Sequence, residues 1–208
     1  MVCPKANRGN KMADLIRLLE RIALILMSGS VIWRLWPVLS FHPQVMLLLL
    51  SELSAVFFLL IQRKGSWATS FYTTAIAFGG TAASLAVMPG GIALAPDFVT
   101  APLITVGTAI ALAAKLSLRR SFGLVPANRG VKISGVYRFV RHPMYTGYVL
   151  NHIGFLMLFF SAWNLAVYLT CWILLYLRVI EEERFLLKDP QYVDYANSVK
   201  SRVIPGLI

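Results

Sequence analysis

Six long apolar runs alternate with short polar connections along the chain. A hydrocarbon core about 30 Å thick requires about 20 apolar residues per helix, and most of the runs approach that length. We therefore predict an all-α fold, a polytopic transmembrane bundle of six spans whose last two form a tight hairpin. The predicted spans are residues 22–39, 43–61, 67–88, 98–118, 143–160 and 163–180.

Lysine and arginine are concentrated in alternate connections. Residues 5–21, 63–64 and 119–141 and the tail after Arg178 are basic, whereas the turns at 40–42 and 89–97 contain no lysine or arginine. Because basic loops stay on the cytoplasmic side, this alternation predicts that both termini are cytoplasmic.

Two cations fall inside the predicted spans. Arg34 and Lys115 lie near span ends, where long side chains can extend to the membrane interface. We expect both to be interfacial anchors.

Composition excludes an ordinary soluble domain. Hydrophobic residues make up 58% and charged residues only 14%, and the mean hydropathy is +0.68. The net charge of +11 comes from clusters between apolar runs, without interleaved exposed aromatic residues. We therefore expect anionic lipid headgroups or cofactors as partners, and no nucleic acid. The positions of Cys3 and Cys171 indicate neither a disulfide nor a metal site.

The chain has no obvious internal repeat, and we interpret it as a single membrane domain with two unlike parts. Residues 1–118 form the first membrane spans and carry few polar groups. Residues 119–208 contain most of the acids and the longest basic loop. We expect the chemistry in this second part.

The segment 134–147 enters the fifth predicted span and has an unusual composition for that place. Pro143 suits a first helical position, which leaves backbone N–H groups and the positive helix end directed at the loop. Arg138, Arg141 and His142 would strengthen the attraction for an anionic ligand group. The alternative is an interfacial belt, since Tyr and Arg are common at membrane boundaries.

A second polar segment, residues 178–184, ends the last predicted span. Arg178 and Glu182 are four residues apart and share a helix face. Three consecutive acids at a helix C-terminus oppose its dipole, so other groups must compensate them. The alternative is a solvated helix end, in which Glu181 and Glu183 pair with Arg184 or Lys188.

Together the two segments offer cations for a carboxylate, aromatic rings for a base and an acid for an ammonium group. This combination suits a zwitterionic nucleoside. The ordered motifs resemble the isoprenylcysteine carboxyl methyltransferase family, which is related to membrane phospholipid N-methyltransferases. They are Gly135-Val136-Tyr137, Arg141-His142-Pro143-Met144-Tyr145-x-Gly147, Arg178-x-x-x-Glu182-Glu183-x-x-Leu186, Tyr192-x-x-Tyr195 and Ile204-Pro205.

The resemblance implies a membrane enzyme that transfers a methyl group from S-adenosyl-L-methionine without a Rossmann fold, and no Gly-x-Gly-x-x-Gly loop follows a predicted strand here. It implies catalytic roles for Arg178 and Glu182, with Arg178 facing the methyl acceptor. It places the protein in the inner or plasma membrane of a prokaryote, or the endoplasmic reticulum of a eukaryote. The implied cofactor residues are Val131, Lys132, Tyr137, Arg141, His142, Pro143, Met144, Tyr145 and Glu182.

The acceptor stays open at this point. A prenylcysteine-like carboxylate needs only a cation such as Arg178, whereas an amine must first lose a proton to a base such as Glu182 or Glu183. Phospholipid amines and small thiols are the alternatives for the acceptor. We expect the cofactor to enter from the cytosol and a lipophilic acceptor from the bilayer. The more distant alternatives are an NADPH-dependent membrane reductase and a non-enzymatic transporter subunit.

Two ionisable residues lie near mid-membrane in the predicted spans. Glu52 and His152 each lie nine residues past a proline, which corresponds to about 14 Å of helix. Ionisable groups at this depth are functional candidates and usually have partners. We expect both, with Asn151, to line the acceptor tunnel as substrate-binding residues. A structural hydrogen bond between helices is the alternative.

Overall fold

The computed structural model describes residues 5–63, 66–67 and 70–206. Lys64 and Cys3 lie outside the described residues. Within them, two short strands, β1 (Ser66–Trp67) and β2 (Ala127–Asn128), pair antiparallel. The α-helices of the described part are α1 (Lys5–Leu35), α2 (Val45–Leu60), α3 (Phe71–Ser84), α4 (Asp97–Leu118), α5 (Pro143–Leu158), α6 (Ala162–Leu186) and α7 (Pro190–Ser198).

Three helical segments are long and apolar enough to cross a membrane, namely Arg21–Val38, Asp97–Ser121 and Ala162–Leu186. The helix α2 is apolar but shorter. With 14 and 16 residues, α3 and α5 extend about 21 and 24 Å, less than a typical hydrocarbon core. The predicted helical fold is confirmed and its long apolar helices are consistent with a membrane protein, while the six spans and the cytoplasmic termini stay predictions.

The third predicted span begins too early. Ser66 and Trp67 pair with Asn128 and Ala127, and α3 begins only at Phe71. The two-stranded ribbon therefore adds a small β element to a fold predicted as all-α. Apolar patterning extended the helix to Trp67 because it carries no information about a strand partner about 60 residues away.

Close packing joins α4 to α5. A Cβ atom at Gly147 would lie 2.5 Å from the carbonyl oxygen of Gly107, so the two backbones are in contact at these glycines. The helix α6 packs mainly against α3. The predicted α5–α6 hairpin has its short link at residues 159–161, yet each helix lies chiefly against a different neighbour.

The two cations within the apolar helices bind backbone carbonyl groups. Arg34 donates to the carbonyl oxygens of Leu85 and Val87, and so joins α1 to the segment after α3. Lys115 is fully buried and donates to the carbonyl and hydroxyl oxygens of Ser51 and to the hydroxyl of Ser54. The expectation that Lys115 extends to the interface is wrong, because α2 offers it three acceptors inside the bundle.

Candidate active site

A cavity of about 870 Å³, partly open to solvent, lies where the loop 119–142 meets the start of α5, the end of α6 and α7. We call it the loop cavity. Pro143 is buried as the first residue of α5 and does not line the wall. The predicted cofactor residues that line the loop cavity are Val131, Lys132, Tyr137, Arg141, His142, Met144, Tyr145 and Glu182.

Glu182 is held by two donors at one of its oxygens. The Tyr145 hydroxyl donates to Oε1 at 2.6 Å, and Arg178 Nε donates to the same atom at 3.0 Å. The other oxygen, Oε2, lies 3.6 Å from His142 Nδ1 and accepts no hydrogen bond from the described residues. The carboxylate therefore has an acceptor position left at the cavity wall.

Arg178 is buried and anchored on both sides. Besides Glu182, its Nη2 donates to the carbonyl oxygen of Leu124 at 2.7 Å. Its guanidinium also lies 5.5 Å from the centre of the Tyr145 ring, within cation–π range. These contacts fix the position of a cation between the loop and the helices.

Glu183 is surrounded by three basic side chains. Arg141 Nε lies 2.9 Å from Oε1, His142 Nε2 lies 3.2 Å from the same oxygen, and Arg202 Nε donates to Oε2 at 2.8 Å. The alternative that pairs Glu183 with Arg184 or Lys188 is wrong. Arg184 pairs with Glu181 instead, at 2.7 Å. The acids that oppose the helix dipole are thus compensated by the start of α5 and the C-terminal segment.

The C-terminal segment holds the His142 region in place through its backbone. Arg141 N–H donates to Ser201 O at 2.9 Å, and His142 N–H donates to Arg202 O at 2.7 Å. Thr146 donates its hydroxyl to Val203 O. Sequence reasoning did not assign Arg202 to the site. The one signal for this segment was its Ile204-Pro205 motif.

Tyrosines form another wall of the loop cavity. Tyr195 donates its hydroxyl to Tyr137 O at 2.7 Å and contacts Tyr192 edge to face, with ring centres 5.6 Å apart. The buried Tyr192 hydroxyl has no hydrogen-bond partner among the described residues. Burial raises the pKa of Tyr195 to about 12 and that of Tyr192 further, so both hydroxyls stay protonated at neutral pH.

A second cavity of about 560 Å³ lies among α1, α2, α3, α5 and α6. We call it the helix cavity. Glu52 and His152 both line it. They form no hydrogen bond with each other. His152 Nδ1 instead accepts from Trp172 Nε1 at 3.3 Å. Asn151 instead contacts α4, where its Oδ1 accepts from Thr108 at 3.4 Å, and it does not line the cavity.

Residues of the first part of the chain, 1–118, also line the helix cavity. Leu24 of α1, Ala55 of α2 and Ser84 of α3 line it together with Glu52. The expectation that the chemistry belongs to residues 119–208 therefore fits the loop cavity, whereas the helix cavity is built from both parts.

The two cavities adjoin. Phe122, Met144 and Arg178 line both of them. A ligand in the loop cavity and another in the helix cavity would meet at these three side chains. This arrangement suits a transfer reaction between a polar and an apolar molecule.

Comparison with known proteins agrees with this geometry. Residues 98–188, somewhat less than half of the chain, match the sequence model of the isoprenylcysteine carboxyl methyltransferase (ICMT) family. The matched segment runs from the start of α4 to just past α6 and includes most of the loop cavity. No curated protein matches the chain. The resemblance predicted from the motifs is thus confirmed over residues 98–188, which are similar to the isoprenylcysteine carboxyl methyltransferase family.

Proposed function

We propose that the protein transfers a methyl group from S-adenosylmethionine, held in the loop cavity, to the carboxylate of a lipophilic acceptor held in the helix cavity. The similarity of residues 98–188 to this family supports a membrane methyltransferase. Phe122, Met144 and Arg178 line both cavities, and we call this place the junction. The finer proposal rests on it, because the buried cation Arg178 is accessible from both cavities there.

The residues of the loop cavity fit S-adenosylmethionine. Tyr137 and Tyr195 offer apolar rings for the adenine, and the Tyr192 hydroxyl is a buried polar group without a partner among the described residues. Lys132 makes no ion pair with another described residue, so it is available to a ligand carboxylate. Glu182 Oε2 has the capacity to accept from a ligand ammonium group.

The contacts of the cations decide which of them can bind the carboxylate of the cofactor. Arg141 and His142 are already engaged by Glu183, so a ligand carboxylate would have to compete with it. Lys132 has no such competitor in the described part of the chain. We therefore assign the ligand carboxylate to Lys132, and a supporting role to Arg141 and His142.

S-adenosylmethionine, when bound, supplies a sulfonium methyl group that is already activated for displacement. The chain must then align the acceptor and exclude water. Phe122 and Met144 make the junction apolar, and Arg178 holds the acceptor carboxylate beside it. A carboxylate needs no proton removed, so no base is required.

An amine acceptor fits the junction less well. It would require a base, but Glu182 Oε1 is bonded to Tyr145 and Arg178, and its Oε2 is assigned to the ammonium group of the cofactor. Glu183 is enclosed by three basic side chains. A fixed guanidinium at the junction also repels an ammonium group. Both features favour a carboxylate acceptor over a phospholipid amine.

The experiment incubates membranes that contain the overexpressed protein with methyl-labelled S-adenosylmethionine, extracts the lipids and treats the extract with base. A carboxyl methyl ester releases its label as volatile methanol, which is the expected result. Base-stable label in a lipid would show N- or S-methylation instead. No transfer above control membranes, combined with no binding of S-adenosylhomocysteine, would contradict the proposal.

A further inference from the structure

The helix cavity contains a carboxyl group that the proposed methyl transfer does not use. Glu52 is the eighth of the 16 residues of α2 and lines the cavity. Within the described part of the chain its carboxylate forms no hydrogen bond and no ion pair under 4 Å. Ionisable groups inside a membrane cost free energy and are usually paired. We therefore expect the hydrogen-bond partner of Glu52 to be a ligand that occupies the helix cavity.

The nearby cation does not satisfy this carboxylate. Lys115 attracts Glu52 electrostatically, but its ammonium group has three hydrogens. Its Nζ lies within hydrogen-bond distance of three acceptors of α2, namely Ser51 O at 2.6 Å, Ser51 Oγ at 3.2 Å and Ser54 Oγ at 3.1 Å. Lys115 thus balances the charge of Glu52 and leaves the hydrogen-bonding capacity of its oxygens unused.

Two hydroxyl groups of the helix cavity are acceptors as well. Thr81 and Ser84 donate their hydroxyl hydrogens to carbonyl oxygens of their own helix, which leaves their oxygens as acceptors. His152 accepts at Nδ1 from the indole N–H of Trp172, so its ring is neutral and carries its hydrogen on Nε2. The wall thus has acceptors at Glu52, Thr81 and Ser84, beside donors at Tyr148 and at Nε2 of His152.

Part of the remaining cavity wall is apolar. Leu24, Ala55, Leu124 and Leu175 line it and suit the hydrocarbon part of an amphiphile. An all-hydrocarbon chain that filled this space would exclude water and leave Glu52 without any hydrogen bond, which is costly for a carboxylate. A ligand with one hydrogen-bond donor in its buried part would avoid that cost.

We propose that Glu52 is a specificity-determining residue that selects acceptors whose buried hydrocarbon part carries an O–H or N–H donor. The proposal rests on the proposed function, because it takes the helix cavity to hold the acceptor. Arg178 binds the carboxylate that receives the methyl group, and Glu52 binds the donor along the chain of the same molecule. A purely hydrocarbon tail is then a poor substrate.

The test uses the full chain in membranes and four sets of straight-chain carboxylic acids of equal length. At successive mid-chain positions they carry a methylene group, a methyl ether, a hydroxyl or a secondary amide. Methyl transfer is measured as base-released methanol from labelled S-adenosylmethionine. We expect the best hydroxyl or amide acid to have a KM about tenfold or more below that of the methylene and ether acids, the effect of one hydrogen bond to a charged group.

Substitutions then assign this preference to Glu52. The variant Glu52→Leu should lose the preference by raising KM for the hydroxyl and amide acids to that of the methylene acid. Glu52→Gln keeps an acceptor oxygen of the same shape and should retain part of the preference. Ser54→Ala is the matched control, since it removes a Lys115 contact on the same helix without lining the cavity, and it should keep the full preference.

Equal KM values of the wild-type protein for all four sets would overturn the role of Glu52 while the methyl transfer stands. A preference that survives in Glu52→Leu would overturn it too. Methanol release from none of the acids would overturn the proposed function itself, and this inference with it. A hydroxyl preference over the amide, or the reverse, identifies which donor chemistry the acceptor carries.

Discussion

Glu182 and Glu183 are adjacent in the chain, yet their carboxylates have different surroundings. Glu183 is 6% exposed and contacts three basic side chains, so its hydrogen-bonding capacity is used within the protein. Glu182 is half-buried, lines the loop cavity and keeps Oε2 without a hydrogen bond from the described residues. At the residue scale, Glu183 therefore stabilises the site and Glu182 is placed to bind a ligand.

Replacing Glu182 with glutamine should weaken cofactor binding. The change removes the negative charge that would face the ligand ammonium group while it keeps the size of the side chain. A hydrogen bond to a charged group typically corresponds to about tenfold or more in affinity. Titration calorimetry with S-adenosylhomocysteine measures the loss, and Glu181→Gln, outside both cavities, is the control. Unchanged affinity in Glu182→Gln would refute the ammonium assignment.

Replacing Arg178 with lysine should separate binding from transfer. Lysine keeps the positive charge but loses the two anchored contacts, with Glu182 Oε1 and Leu124 O. We expect kcat to fall about 100-fold, since small misplacements of reacting groups have effects of that size, while the affinity for S-adenosylhomocysteine changes little. The opposite result, normal kcat with weak cofactor binding, would move Arg178 into the cofactor site.

Replacing Glu183 with alanine should destabilise the fold. The change leaves Arg141 and His142 without their buried acid, and breaking a buried ion pair in this way costs about 3–5 kcal/mol. Thermal unfolding in detergent measures the effect. Glu181→Ala removes an ion pair with the exposed Arg184 and a hydrogen bond from Thr73, and it should cost less, about 1–2 kcal/mol. Similar losses in the two variants would contradict the distinction between the two acids.

Contacts between residues close in the sequence could be predicted, whereas contacts between distant residues could not. The Arg178–Glu182 pair follows from a separation of four residues on one helix, and the structure has it at 3.0 Å. The environment of Glu183 depends on His142 and Arg202, which are 41 and 19 residues away. No periodicity in the sequence encodes such contacts, so the sequence predicted that other groups compensate Glu183 without identifying them.

At the scale of elements, the α4–α5 contact positions the start of α5 and hence His142. Gly147→Ala should separate these helices, because its new methyl group would lie 2.5 Å from Gly107 O and 2.7 Å from Ala111 N. We expect a lower unfolding temperature and reduced methyl transfer. Gly79→Ala, whose methyl group would meet Leu174 at an ordinary 3.6 Å, is the control and should be neutral or slightly stabilising. An unfolding temperature in Gly147→Ala equal to the wild-type value would contradict the close contact.

Hydropathy predicted the positions of the helices better than their ends. The predicted start of the fourth span differs from that of α4 by one residue, and the predicted start at Pro143 is that of α5. The third prediction failed at its start because Ser66 and Trp67 pair with β2. The burial of Lys115 was also unpredictable, since its three acceptors lie on α2, more than 60 residues away.

At the scale of the whole molecule, the arrangement of the two cavities connects the fold to the chemistry. The loop cavity is lined by charged residues such as Lys132 and Glu182 and is partly open to solvent, whereas the helix cavity lies among apolar helices. A water-soluble methyl donor and a lipophilic acceptor can thus approach Arg178 from different surroundings. The reductase alternative requires a nicotinamide dinucleotide in the same loop cavity, where Glu182 would face its phosphates.

The affinity of the purified wild-type protein for S-adenosylhomocysteine tests the central claim most directly, with NADPH as the competing ligand. We predict saturable binding of S-adenosylhomocysteine that S-adenosylmethionine displaces, and no binding of NADPH. The reason is that Lys132 and Glu182 suit a zwitterion, whereas a dinucleotide phosphate requires additional cations. Binding of NADPH, or no binding of S-adenosylhomocysteine by folded protein, would contradict the account.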